Sequence, residues 1–160
     1  MLVDPHKVPL NSWKMTENPT NMVTVVPDIS IIIKWLNKDK EENLEQASKL
    51  LEEVLDGKVE LLAPELVKYE IGNVLLKSKR LIPREAKISL GTIYSLPITF
   101  VSETENLSKQ TFEMAYKHGI TYYDAAFISL SKQYNATLVT ENIKHQGKSS
   151  EIKVVSLKDY

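Results

Sequence analysis

The sequence predicts an α/β domain, a three-layer sandwich whose central parallel sheet has four to five strands. Three observations predict it. From Met22 onward, short apolar runs alternate with longer stretches of helical period, the order expected of crossover units around a parallel sheet. The first run, Val23 to Val26, is β-branched throughout, as a strand covered on both faces should be. The chain has 160 residues, 42% hydrophobic and 26% charged, with a formal charge of −1, which suits one domain with a single core.

Taken in order, the first strand ends at Pro27, so Asp28 stands just past its carboxyl end. Ser30 is placed to cap a short helix from Ile31 to Leu36. A second helix, from Glu41 to Asp56, carries apolar residues at Leu44, Ala47, Leu51, Val54 and Leu55, with Gly57 as its stop. Val59 to Ala63 reads as the second strand. Pro64 fits the first turn of the next helix, because its missing N–H needs no partner there. That helix runs to about Lys79, with Leu66, Val67, Ile71, Val74 and Leu75 on its apolar side, and Glu70 and Asn73 sharing another face. Pro83 opens a helix toward Tyr94, Ile98 to Val101 forms the third strand, and Glu103 to Lys117 forms a helix that Gly119 ends. Thr121 with Asp124 has the spacing of a helix cap, Thr137 to Thr140 is the fourth strand, and Val154 to Ser156 the fifth. Residues 22–160 thus make one domain, and residues 1–21, polar and carrying Pro5, Pro9 and Pro19, read as a flexible extension.

Composition excludes several chemistries. With zero cysteines there is no disulfide framework, thiolate zinc site, iron–sulfur cluster or thiol nucleophile, and the chain suits a reducing, cytoplasmic setting. Any metal must use oxygen or imidazole ligands. No apolar stretch approaches the roughly 20 residues of a membrane span, since Lys34 soon breaks the run Ile31 to Ile33. His6, His118 and His145 are far apart and show no metal-ligand spacing.

In an open parallel sheet, ligands bind beyond the carboxyl ends of the strands. Asp28, Glu70, Asp124, and Glu141 with Asn142 are the acidic and amide side chains that this topology sends there. Two carboxylates about 5 Å apart repel by roughly 3 kcal/mol at an effective dielectric of 20, so a cluster of them calls for a cation. Mg²⁺ or Mn²⁺ suits carboxylate and water ligands and leaves room for phosphate oxygens. Phosphodiester hydrolysis follows, because such a metal acidifies water and neutralises charge on the leaving oxygen.

Three segments, VVPDIS, APELVKYEIGNVL and TYYDAAFISLSKQYNATLVTEN, together resemble the PIN-domain nucleases, and in this compact form the VapC toxin branch. The resemblance implies that Asp28, Glu70 and Asp124 build a divalent-metal site for RNA cleavage, with Ser30 and Asn73 assisting. It also implies a small protein antitoxin and a homodimer. One position departs from the pattern: the family's last acid, two residues after Thr140, is here Asn142. Glu141 is adjacent but points the other way in an extended strand end, and Thr140 could contribute a hydroxyl.

Simpler roles compete at each position. Asp28 and Asp124 both fit helix capping, and Ser30 and Asn73 fit local hydrogen bonding. Glu70 lies among apolar neighbours, where an unpaired carboxylate is costly. Lys77, Lys79, Arg80 and Arg84 form either an RNA-facing patch or ordinary surface, and Lys144, His145 and Lys148 a basic loop. Trp35 reads as core or dimer packing. A catalytically silent binding module, a housekeeping RNA-processing nuclease and an aspartyl-phosphate protein are the alternative functions. The last fits poorly, because Ser30 stands where a dehalogenase-like site needs a second acid and Pro27 where a receiver-like site does.

Overall fold

The computed structural model describes residues 22–160; the polar extension 1–21 lies outside the described residues. Five strands, β1 (Val23–Pro27), β2 (Val59–Pro64), β3 (Ile98–Val101), β4 (Thr137–Thr140) and β5 (Lys153–Ser156), form one parallel sheet in the order β3-β2-β1-β4-β5. This is the predicted α/β sandwich, with the strand count at its upper value. The helices are α1 (Ile29–Leu36), α2 (Leu44–Leu55), α3 (Val67–Asn73), α4 (Pro83–Ile93), α5 (Glu105–His118), α6 (Tyr122–Gln133) and a single turn, α7 (Ile143–Gln146). Among the described residues no helix is long and apolar enough to cross a membrane.

Strand alternation divides the core between the two faces of the sheet. Val25, Leu61 and Val139 pack with Ile31, Ala47, Leu50 and Leu157 on the side covered by α2. Val26, Leu62 and Leu138 pack with Ile71, Leu75, Ile93, Leu107, Met114 and Phe127 on the other, beneath α3 to α6. Trp35 touches both clusters, and its indole N–H donates to the Ala47 carbonyl at 2.8 Å, which anchors α1 to α2. It is therefore core, as one of its two readings held.

Several boundaries differ from the sequence reading, four of them for clear local physical reasons. Asp28, not Ser30, caps α1: its carboxylate accepts the Ser30 N–H at 2.9 Å, so the helix starts at Ile29. Pro64 closes β2 in register with Val101 instead of opening a helix, and α3 begins only at Val67, after the turn through Glu65 and Leu66. The helix predicted to run to Lys79 changes to wider π-helical turns over Val74–Ser78, where the Lys79 N–H reaches back five residues to the Val74 carbonyl. The helix read as starting at Glu41 starts at Leu44, because Asn43 adopts a left-handed φ of 53°. Gly119, at φ 60°, ends α5 as its freedom in that region allows.

The strand order reverses between β1 and β4, so the crevice for a ligand opens beyond the carboxyl ends of those two strands. Pairing of Pro27 with Val139 brings Asp28 beside Thr140, 112 residues apart in sequence.

Candidate active site at the strand switch point

Asp28 sits at the bottom of this crevice, 2% exposed. Its Oδ1 accepts the Ser30 N–H and hydroxyl, and its Oδ2 accepts the Thr140 hydroxyl at 2.5 Å. Both hydroxyls are oriented by a backbone donor. The Glu141 N–H donates to Ser30 Oγ at 3.1 Å and the Asn142 N–H to Thr140 Oγ1 at 2.8 Å. With lone pairs occupied in that way, each hydroxyl turns its proton to Asp28. Burial pushes the Asp28 carboxyl up to about 6, although these hydrogen bonds pull it down.

Glu70 lies on α3, half-buried beside the crevice. Its Oε2 is buried without a hydrogen-bond partner. Burial, and then the charges of Asp124 and Asp28, push this carboxyl up to about 7. Asp28 and Asp124 thus both lie within electrostatic reach of Glu70. Asp124, in the first turn of α6, is half-buried: its N–H donates to Thr121 Oγ1 at 3.0 Å, and the Thr121 hydroxyl donates to its Oδ2 at 2.9 Å. None of the three forms a salt bridge among the described residues. Likewise, no three histidine, aspartate or glutamate side chains there are drawn together tightly enough to enclose an ion, and the coupling of the three acids is one of charge.

The remaining predicted residues divide. Ser30 and Thr140 hold Asp28, as described. Asn73, one turn after Glu70, is exposed at the end of α3. Asn142 supplies a backbone donor and precedes α7. Glu141 turns away from the acids. Its carboxylate pairs with Lys34 at 3.0 Å and accepts the Asn43 amide at 2.8 Å, so it leaves the charge missing at Asn142 unreplaced.

Lys34 is the residue that sequence reasoning missed. Its side chain is 1% exposed and bridges Glu41 at 2.9 Å and Glu141 at 3.0 Å, while Lys79 bridges the other Glu41 oxygen at 2.5 Å. Burial pushes the Lys34 ammonium down, but hydrogen bonds and charges from the two glutamates outweigh it and leave its pKa above the ordinary value. Lys79, read as patch or surface, is thereby tied to the fold, whereas Lys77, Arg80, Arg84, Lys144, His145 and Lys148 are exposed.

The raised acid pKa values set a pH dependence. Asp28 and Glu70 ordinarily titrate near 3.8 and 4.5, so between those values and about 7 the folded chain binds more protons than the unfolded one. Their contribution to metal-free stability is therefore full below the ordinary values and lost as pH rises through 6 to 7. In EDTA, wild type should lose stability relative to Glu70→Gln between pH 5 and pH 8, as measured by urea unfolding. A difference that does not change with pH would place Glu70 in an ordinary solvated setting.

Comparison with known proteins gives a consistent result. Residues 25–148 match the PIN domain family. Ribonuclease VapC3 from Pyrobaculum aerophilum is 32% identical over 100 residues, covering 60% of this chain and 76% of that one. Among solved structures, VapBC2 from Rickettsia felis, bound to a DNA fragment from its promoter, superposes with a TM-score of 0.63 at 18% identity, over 84% of this chain and 98% of the other. VapC20 from Mycobacterium tuberculosis, described as a sarcin–ricin loop cleaving toxin, gives 0.57 at 16% identity, over 71% and 86%.

Proposed function

The chain belongs to the PIN-domain family, and from that premise we propose that it is a divalent-metal-dependent endoribonuclease, the toxin of a toxin–antitoxin pair. Asp28, Glu70 and Asp124 are the acids that would hold Mg²⁺ or Mn²⁺. The observation that carries this reading is the Glu70 carboxylate, whose buried, unpartnered oxygen faces two further negative charges. A carboxylate oxygen buried in that position costs free energy that a hard cation would offset, and the three acids offer oxygen, the ligand type these ions take.

A divalent ion held there would lower the pKa of its water and neutralise charge on the leaving oxygen of a phosphodiester. The protein's own contribution is orientation. Ser30 and Thr140 fix Asp28 with both oxygens directed, and Thr121 holds Asp124 at the start of α6. Asn73 would orient ligands or water from one turn beyond Glu70. The name of ribonuclease VapC3 favours RNA as substrate and the VapBC2 structure a protein antitoxin as partner; a homodimer and a cytoplasmic setting complete the proposal.

Metal-dependent cleavage of structured RNA by wild type, set against Asp28→Ala, tests the reading. Asn142 favours one competing account, a PIN fold that has lost metal competence and only binds. Thermal unfolding decides between them. At Mn²⁺ about 100-fold above its dissociation constant, the native state should gain about 2.7 kcal/mol. No gain with either Mn²⁺ or Mg²⁺ would favour the silent module.

A further inference from the structure

A pocket of about 250 Å³ opens at the carboxyl-end edge of the sheet, between the ends of β2 and β3 and the first turns of α3, α5 and α6, the helices α3 and α6 being those that carry Glu70 and Asp124. Tyr69 and Tyr123 form part of its wall, 78% and 60% exposed. Each immediately precedes a site acid, Tyr69 before Glu70 and Tyr123 before Asp124. At such exposure most of each ring remains available to be covered by a stacked planar group.

The polar groups of the pocket are also distinctive. Thr111 lines it and is 1% exposed, with the Tyr122 phenol beside its hydroxyl. Glu65 and Glu103 are carboxylates on the lining, Glu65 fixed by Ser102 and Lys68, and Glu103 by the Tyr122 phenol at 2.5 Å. Two carboxylates repel a phosphate. They accept hydrogen bonds from the amino and ring N–H groups of a neutral base.

Resting on the ribonuclease reading above, we propose that this pocket is the subsite for one unpaired nucleobase next to the scissile phosphate, stacked on Tyr69 or Tyr123 with its N–H edge toward Glu65 and Glu103. Stacking is indifferent to base identity, but the carboxylates are not. Guanine, with adjacent N1–H and N2–H groups, and cytosine, with its N4 amine, fit this edge. Uracil, whose single N–H lies between two carbonyls, is disfavoured. An aliphatic side chain from a protein partner would leave the free edge of Glu103 unmatched.

The test uses the full chain with Tyr69→Ala, Tyr123→Ala and the corresponding Phe substitutions. In steady-state cleavage of a single-stranded oligonucleotide, at least one Ala variant should raise KM about tenfold with kcat nearly unchanged, and the Phe variant at that position should restore wild-type KM. Independently of cleavage, titration of metal-free wild type with the 5′-monophosphates of guanosine, cytidine and uridine should shift tyrosine ring resonances for the first two at concentrations where uridine does not. If wild type binds these nucleotides but cleaves no RNA, the pocket stands and the ribonuclease reading falls. Unchanged KM in both Ala variants with no ring shifts would overturn the pocket while leaving cleavage intact. Loss of a dimer on sedimentation of Tyr69→Ala, with nucleotide binding unaffected, would equally overturn it and make this surface a protein interface.

Discussion

Asp124→Asn is expected to reduce RNA cleavage by about 10³-fold while leaving the fold intact. The loss follows from removing one of three charges proposed to hold the metal, whose stabilisation of developing charge is worth several kcal/mol, and each 1.36 kcal/mol is a factor of ten. The fold survives because the cap at α6 uses the Asp124 backbone N–H on Thr121, and an amide oxygen can still accept the Thr121 hydroxyl. Without metal the variant should be slightly more stable than wild type, because Asp124 is one of two charges that raise Glu70. Single-turnover cleavage and thermal unfolding in EDTA measure the two effects. Cleavage within tenfold of wild type would remove Asp124 from the site.

Lys34→Met is expected to destabilise the chain by about 3 kcal/mol, near the lower end for breaking a buried ion pair from one side, since Glu141 keeps 30% side-chain exposure. The substitution leaves Glu41 with Lys79 alone and Glu141 with only the Asn43 amide. For a domain of this size the loss corresponds to roughly 10 °C in Tm. Adding Glu141→Gln to Lys34→Met should recover part of it, the signature of a carboxylate left without its counter-charge. Strict additivity of the two substitutions in urea unfolding would show that Lys34 contributes packing only. Lys34 also stands one turn after Ser30 on α1, so the same ion pair steadies the Glu141 backbone whose N–H orients the Ser30 hydroxyl.

The order and type of the elements were legible in the sequence because their signals are local. The β-branched run before Pro27, Pro83 at a helix start and Gly119 at a helix end each act within a few residues. The pairing of Thr121 with Asp124 is equally local, and the structure reproduces it. Lys34 was illegible for the opposite reason. Placed after three isoleucines it reads as the end of an apolar run, and its partners lie 7 and 107 residues away, so only the closed fold reveals why an ammonium is tolerated there. The π-helical turns at Val74–Ser78 left no mark either, since the apolar period runs through them. Of the candidate site, the acids were visible as residue types at strand ends. Tyr69 read only as an apolar neighbour of Glu70, and it is 78% exposed, because exposure is not written in the sequence.

The pairing of β1 with β4 also bears on when the site comes into being. Asp28 leaves the ribosome 112 residues before Thr140, so vectorial synthesis withholds the hydroxyl that fixes Asp28 until β4 has emerged. A nascent chain that stalls before β4 carries Asp28, Glu70 and Asp124 without the strand that completes the crevice.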